Sequence, residues 1–116
     1  MEEIFKDLME IREVIGVVLR SSDGRIQYQT FCEGAAYDLD QLQPALDALK
    51  QIQEADVVFT HLRLYLRQTQ AGQLLVVMAR GVPIAMVRLH CDMIIPRLSP
   101  PQGSIGKKKL WGLFKS

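Results

Sequence analysis

The feature that most constrains the fold of this chain is the Asp23–Gly24 pair, which separates two β-rich runs at residues 15–22 and 25–31. An Asp-Gly pair in this position is a strong hairpin signal, because a type I′ turn needs positive φ at both central residues. The first run is apolar on both faces, which predicts a central strand. The second run alternates apolar and polar residues, which predicts that one of its faces is in water.

Three further segments have helical patterns. Residues 2–13 place apolar side chains on one stripe and charged ones opposite, with acids in the first turn, where the helix dipole favours them. Leucines recur at threes and fours from Leu39 to Leu49, and we expect Pro44 within the first turn of that helix, where its missing N–H costs little. Residues 82–95 fit a helix or a strand, and their length favours a helix that begins near Pro83.

Between the second and third helical segments, the apolar residues recur at every second position instead of at every third or fourth. Residues 57–70 alternate along one run, which as a straight strand would span roughly 46 Å, well beyond the usual strand length. We therefore expect a bend or break near residues 60–62. A turn at residues 70–72 follows, and residues 73–79 are apolar on both faces, which predicts another central strand.

The composition indicates a single globular domain whose charge is unevenly distributed along the chain. The 116 residues suffice for one core. Up to Leu98, ten Lys and Arg stand against thirteen Asp and Glu, a net charge of −3, whereas the remainder carries four lysines and no acid, a net charge of +4. The N-terminus has no signal-peptide pattern and no apolar run approaches the 18 or so residues that span a bilayer. We therefore expect a cytoplasmic protein.

The order of these elements resembles that of the Roadblock/dynein light-chain family. The residues that carry the resemblance are IGVVLRSSDGR at 15–25 and LRLYLRQTQAGQLLVVMARG at 62–81, followed by the helix after Pro83. We expect a domain of this type at residues 1–98, a Pro/Gly/Ser linker at 99–106 and a basic-aromatic tail at 107–116.

The resemblance implies an α+β fold with an antiparallel sheet of about five strands, in the order α-β-β-α-β-β-β-α. The middle helix would cover one face and the terminal helices the other. It also implies a non-catalytic dimer that regulates a small Ras-like GTPase, with the bacterial regulators of gliding-type GTPases as the nearest branch. A heterodimer with a paralogue is open beside a homodimer. The alternative function is a structural scaffold or adaptor with no nucleotide-linked role.

The edge of the expected sheet is a candidate dimer interface. No charge or proline protects Val57, Val58 and Phe59, and soluble proteins usually blunt or occupy such an apolar edge. Occupation by a second subunit assigns these three residues to the interface. The alternative is an ordinary strand that is covered by its own chain.

A second candidate surface combines arginines with an aromatic side chain. Arg63, Tyr65 and Arg67 share one face of the alternating run, and with Arg80 they form a patch that suits an acidic or nucleotide-bearing protein surface. A solvated strand face explains the same residues equally well. We expect no nucleic acid, because the patch is small and residues 1–98 are net acidic.

The tail offers candidate docking residues in Lys107, Lys108, Lys109, Trp111 and Phe114. Each lysine adds about 1 kcal/mol near an anionic membrane, so four give only about millimolar affinity per chain. Partial insertion of the aromatic side chains adds to this. Docking to a protein or peripherally to the inner membrane face is one interpretation, and a solubilising or self-packed tail is the other.

Catalytic and cofactor motifs are missing from the sequence. The two cysteines, Cys32 and Cys91, are interpreted as buried structural thiols. An enzyme that uses Cys91 or His90 is the weaker alternative, since neighbouring residues of a helix point about 100° apart. No metal-ligand spacing, P-loop or glycine-rich dinucleotide turn occurs, so we assign no catalytic residue, metal or cofactor.

Overall fold

The computed structural model of the protein describes residues 2–32 and 39–98. Its elements in chain order are α1 (Glu2–Glu10), β1 (Val14–Arg20), β2 (Ile26–Phe31), α2 (Leu39–Ala48), β3 (Glu54–Val58), β4 (Arg63–Thr69), β5 (Gly72–Met78), α3 (Ile84–Ile94) and a 3₁₀ turn (Ile95–Arg97). The order is the one that the sequence predicts, and the helix after Pro83 resolves the ambiguity of residues 82–95.

The strands form one antiparallel sheet in the order β2-β1-β5-β4-β3. β1 and β5 lie at the centre and pair along their length, as their two-sided apolar pattern predicts. β2 and β3 are the two edges of this sheet. The predicted five-stranded α+β layout is confirmed.

The Asp-Gly hairpin forms, but its turn differs from the predicted type. Gly24 has a φ of 93°, whereas Asp23 does not have a positive φ. The N–H of Ser21 donates to the carbonyl of Arg25 at 2.8 Å, and the N–H of Gly24 donates to the carbonyl of Ser21 at 2.9 Å. These bonds match a three-residue loop in which a type I turn precedes a left-handed glycine. The predicted type I′ turn is therefore wrong.

The alternating run at residues 57–70 is divided between two strands. β3 ends at Val58 and β4 begins at Arg63. The N–H of Phe59 donates to the carbonyl of Leu62 at 2.8 Å, which closes a tight turn over Thr60 and His61. The predicted break is confirmed, although no Gly, Asn or Asp marks it.

The helices cover the two faces of the sheet as the resemblance implies. α1 and α3 bury Phe5, Leu8 and Val87 against one face. α2 buries Leu46 against the other face, over a smaller cluster that includes Leu75. At about 25 cal/mol per Å² of apolar surface, the first cluster is the larger source of stability because it holds more fully buried side chains.

α2 contains an interior proline that the sequence analysis places wrongly. Pro44 lies in the second turn of the helix rather than in the first. Its nitrogen cannot donate to the carbonyl four residues earlier, so α2 lacks one backbone hydrogen bond. This short helix therefore depends on its contacts with the sheet.

A buried arginine supplies part of that contact. Arg20, at the end of β1, is 4% exposed. Its Nη1 donates to Oε1 of Gln73 at 2.8 Å, and its Nη2 donates to Oδ1 of Asp47 at 2.5 Å. Nε2 of Gln73 in turn donates to the carbonyl of Leu46 at 3.0 Å. These bonds join α2 to two central strands, and the one from Arg20 lowers the pKa of Asp47.

Candidate protein-interaction edge

The outer side of β3 presents backbone groups that no described strand pairs. The N–H of Gln68 donates to the carbonyl of Gln53 at 2.9 Å, and Phe59 bonds to Leu62 at the other end of the ladder. Bonded and non-bonded pairs alternate in an antiparallel ladder. The N–H and C=O groups of Glu54, Asp56 and Val58 therefore point away from β4, toward the open edge.

The side chains along this edge include exposed apolar ones. Val58 is 51% exposed and Phe59 is 39% exposed, and Val57 is half-buried. An apolar edge with free backbone groups is a template for pairing with another strand. The three residues predicted as a dimer interface thus lie together on one accessible edge, and their role in a dimer stays a prediction.

The acidic side chain in the middle of β3 is held by an ion pair within the chain. Nε of Arg63 donates to Oδ1 of Asp56 at 2.7 Å, and Nη2 donates to Oδ2 at 2.5 Å. Nη1 of Arg63 also approaches the carbonyl of Val82 at 3.4 Å. The hydrogen bonds from Arg63 lower the pKa of Asp56, against its partial desolvation. Arg63 therefore offsets part of the charge of Asp56 at this edge.

The other acidic side chain of β3 belongs to a cluster around Tyr65, which is fully buried. The hydroxyl of Tyr65 donates to Oε2 of Glu54, and Nε of Arg88 donates to the same oxygen at 2.7 Å. Nη1 of Arg67 donates to the Tyr65 hydroxyl at 3.2 Å and to Oδ1 of Asp92 at 2.7 Å. Burial, and then the bond to Glu54, raises the pKa of Tyr65. The cluster joins β3 and β4 to α3.

The predicted partner patch is therefore mostly engaged within the chain. Arg63, Tyr65 and Arg67 do share one strand face, as their alternation predicts, but α3 covers that face. Arg80 is exposed, and its Nη1 lies 3.4 Å from the carbonyl of Thr60. Contact of these four residues with a partner stays a prediction, with Arg80 the accessible member.

Comparison with known proteins decides the fold. No protein-family model matches the sequence, and no curated protein matches it. A Roadblock/LC7 domain from Streptomyces avermitilis superimposes with a TM-score of 0.68 at 14% identity, over 84% of this chain and 92% of that one. The chain has the Roadblock/LC7 fold.

Two MglB structures are also similar. The gliding protein MglB from Thermus thermophilus gives a TM-score of 0.61 at 18% identity, over 79% of this chain and 80% of that one. A structure described as MglB with tetrameric arrangement gives 0.62 at 18% identity, over 80% of each chain. At such identities the similarity establishes the Roadblock/LC7 fold alone.

Helix α3 carries a further exposed apolar surface, which was not predicted from the sequence. Met86, Leu89 and Met93 lie on its outer side and are 44%, 58% and 62% exposed. The signal was present in the sequence, because the segment is apolar on nearly all sides and a helix that covers a sheet needs only one apolar side. Such patches often mark protein interaction sites.

The two cysteine thiols of the chain differ in their exposure to solvent. Cys91 is buried as predicted, and desolvation raises the pKa of its thiol to about 12, so little nucleophilic thiolate forms at neutral pH. Cys32 is exposed, which makes its predicted burial wrong. It follows the last residue of the edge strand β2, beyond the end of the paired strands. Its Sγ donates to the carbonyl of Val14 at 3.2 Å.

Two further findings concern the described part of the chain. Within residues 2–32 and 39–98, no group of three or more His, Cys, Asp or Glu side chains is arranged to hold a metal ion. No helix in the same ranges is long and apolar enough to cross a membrane. The predicted docking residues Lys107, Lys108, Lys109, Trp111 and Phe114, and the predicted linker, lie outside the described residues.

Proposed function

We propose that the protein is a dimeric, non-catalytic interaction module of the cytoplasm that binds and regulates a small Ras-like GTPase. The observation that carries the proposal is the open β3 edge of a Roadblock/LC7 fold. Similarity to MglB, which is described as a gliding protein and in one structure as having a tetrameric arrangement, supports a regulatory assembly of several copies. The GTPase partner rests on the resemblance carried by residues 15–25 and 62–81.

The charges and side chains of β3 favour one register for pairing with a second copy. The backbone N–H and C=O groups of Glu54, Asp56 and Val58 face outward. These residues must therefore pair with residues of the second strand whose backbone groups also face outward. A two-fold axis at Asp56 would set two carboxylates opposite each other, which is unfavourable. An axis at Val57 sets Asp56 opposite Val58 instead, and it places Phe59 opposite Ala55 in an apolar row. We therefore favour pairing centred on Val57.

The ion pairs within the chain support this use of the edge. Proteins commonly guard an edge strand with charged side chains. Here Arg63 binds Asp56, and Tyr65 and Arg88 bind Glu54. Both acids are thus turned toward the side of the sheet that carries α3, which leaves the backbone edge accessible. The exposed apolar side of α3 supplies a second surface, which a partner other than the second copy can cover.

The GTPase proposal is tested by capture in two nucleotide states. Tagged full-length protein would be incubated with lysate of its own organism in GDP or in a non-hydrolysable GTP analogue, and bound proteins identified by mass spectrometry. We expect a small GTPase with the analogue alone. Arg80→Ala should weaken its binding by about 1 kcal/mol, roughly fivefold, whereas the exposed Arg97→Ala should not. Recovery of no GTPase, or equal recovery in both states, would contradict the proposal.

The second candidate is a structural scaffold or adaptor with no nucleotide-linked role. The observation that favours it is the internal pairing of Arg63 and Arg67, because those guanidinium groups are already bound to Asp56 and Asp92. In the same capture experiment, a scaffold would recover its assembly partners equally in GDP and in the analogue.

A further inference from the structure

A groove that the proposed function does not use runs between α1 and the edge strand β2. It has a volume of about 420 Å³ and is lined by Glu3, Lys6, Met9, Glu10, Tyr28 and Thr30. Its apolar floor is formed by Met9 and Tyr28, which are both half-buried. The Tyr28 ring stacks on buried Phe5 with 5.3 Å between ring centroids and 20° between planes, so the floor is held by the core.

We propose that this groove binds the basic-aromatic tail, residues 107–116, of the same chain. The site would be specific for a short peptide that combines lysines with large apolar side chains. This inference does not depend on the dimer or on the GTPase, because the groove lies at the edge of the sheet opposite to β3.

The charges of the groove complement those of the tail. α1 carries four acids against Lys6, a net charge of −3. The Lys6–Glu10 pair is 4.0 Å apart with both side chains mostly exposed, and such a surface pair is weak. Glu3 and Glu10 therefore remain available to cations at two points along α1, beside the apolar floor. The tail carries four lysines and no acid, interleaved with Leu110, Trp111, Leu113 and Phe114.

The apolar chemistry matches as well. Met side chains adapt to irregular partners and make favourable contacts with aromatic rings, and Tyr28 offers a further ring at the base of the groove. A tryptophan or phenylalanine seated there would leave water and cover Met9. Aromatic anchors of this kind dominate the binding of short segments.

The described chain ends at the end of the sheet where β2 begins. The carbonyl of Leu98 accepts a hydrogen bond from Nε2 of Gln70 at 2.9 Å. Ala71 follows Gln70 in the chain, and its carbonyl accepts a hydrogen bond from Nε2 of Gln27 at 2.8 Å. Leu98 thus lies at the end of the sheet where β2 begins, roughly 10–15 Å from it across the strands. Residues 99–106 can extend to about 28 Å, which is enough to bring Lys107 to Glu3.

The chain supplies its own probes for a test. Trp111 is the only tryptophan in the sequence, and Cys32, at the end of β2, is an exposed thiol, whereas Cys91 is buried. An acceptor dye attached to Cys32 of the full-length protein reports energy transfer from Trp111. We expect efficient transfer that does not depend on protein concentration, with Trp111 emission blue-shifted and less accessible to acrylamide than in the isolated peptide 107–116.

Matched variants locate the docking site. Met9→Gln at the groove should abolish the blue shift and the transfer, whereas Met93→Gln on the exposed side of α3 should preserve both. Glu3→Lys combined with Glu10→Lys should have the same effect as Met9→Gln. Asp7→Lys makes the same kind of charge change on α1 outside the lining, and it should reduce transfer much less. Circular dichroism of each variant would verify that it is folded.

Three results would overturn the inference. The first is Trp111 emission and quenching identical to those of the isolated peptide. The second is protection that survives Met9→Gln but is lost in Met93→Gln, which would place the tail on α3. The third is undiminished transfer in a mixture of dye-labelled Trp111→Phe protein with unlabelled protein, because there the donor and the dye lie on different copies.

Discussion

The two edges of the sheet, β3 and β2, differ in what their side chains do. β3 exposes Val58 and Phe59, and its acids are held by arginines of the same chain. β2 carries the exposed polar side chains of Gln27 and Gln29, and it has no carboxylate or ammonium group. The composition of a strand therefore does not alone decide whether its edge is protected by charge. The ion pairs within the chain decide which charges remain free.

The difference between the two edges suits a different occupant at each: a second β3 strand at one and the tail, residues 107–116, at the other. The β3 edge has backbone groups that no strand within residues 2–32 and 39–98 pairs, and it has apolar side chains on both of its faces, which suits another strand. The β2 edge is flanked by α1, which adds an acidic wall above an apolar floor, and this suits a basic-aromatic peptide.

The largest expected effect comes from a proline that blocks one edge at a time. Val58→Pro removes a backbone N–H that points outward and does not bond to β4, so the monomer should fold. The dimer, in contrast, loses two hydrogen bonds between the copies and must accommodate the two proline rings at its interface. We expect a loss of about 2–3 kcal/mol, roughly a 30- to 160-fold rise in the dimer Kd, measured by analytical ultracentrifugation. Gln29→Pro makes the matched change on β2 and should leave the dimer unchanged. An equal effect of both would refute the difference between the edges.

A smaller effect is expected from the cluster behind β3. Tyr65→Phe keeps the buried ring but removes the hydroxyl that donates to Glu54. We expect the free energy of unfolding to fall by about 1–2 kcal/mol, because hydrogen bonds to charged groups are the stronger ones. Tyr28→Phe on β2 keeps its stacked ring and should change stability by less than about 0.5 kcal/mol. Urea unfolding of both variants measures the difference, and equal losses would show that the cluster contributes nothing to β3.

The smallest expected effect is a dependence of stability on acid pH. Hydrogen bonds from Arg63 lower the folded-state pKa of Asp56 below its ordinary 3.8, and those from Tyr65 and Arg88 lower that of Glu54 below 4.5. Such groups contribute stability above their unfolded pKa and lose it as the pH falls through the folded value. The free energy of unfolding should therefore decrease below about pH 4.5. Asp56→Asn should reduce that decrease in urea titrations, and an unchanged slope would contradict the role of the pair.

Much of the fold could be predicted from local pattern. The Asp-Gly pair predicts the first hairpin, the period of two predicts β3 and β4, and Pro83 predicts the start of α3. The turn type was missed because a three-residue loop needs positive φ at Gly24 without requiring it at Asp23. Pro44 was placed wrongly because α2 begins earlier than the position of the proline suggests, and tertiary contacts such as those of Arg20 stabilise the helix across the interruption.

The candidate site was less predictable, because its bonds join residues that are distant in the sequence. Arg67 meets Asp92 and Arg88 meets Glu54 only once α3 lies on the sheet. Alternation could place Arg67 on a strand face but could not show that a helix covers that face. The groove between α1 and β2 likewise depends on the packing of two elements whose patterns, taken separately, predict only an amphipathic helix and a half-exposed strand.

Pairing of β3 with β3 of a second copy is tested most directly by a cysteine placed at the proposed two-fold axis. In a Cys32→Ser background, Val57→Cys would set two thiols in a non-hydrogen-bonded pair with Cα atoms about 4.5 Å apart, within the range of a disulfide. Ala55→Cys lies on the same strand face two residues away and would face Phe59 of the second copy. Mild oxidation should give a covalent dimer by intact mass for Val57→Cys and not for Ala55→Cys. A Val57→Cys protein that stays monomeric, or equal cross-linking of both variants, would contradict pairing of β3 with its twin.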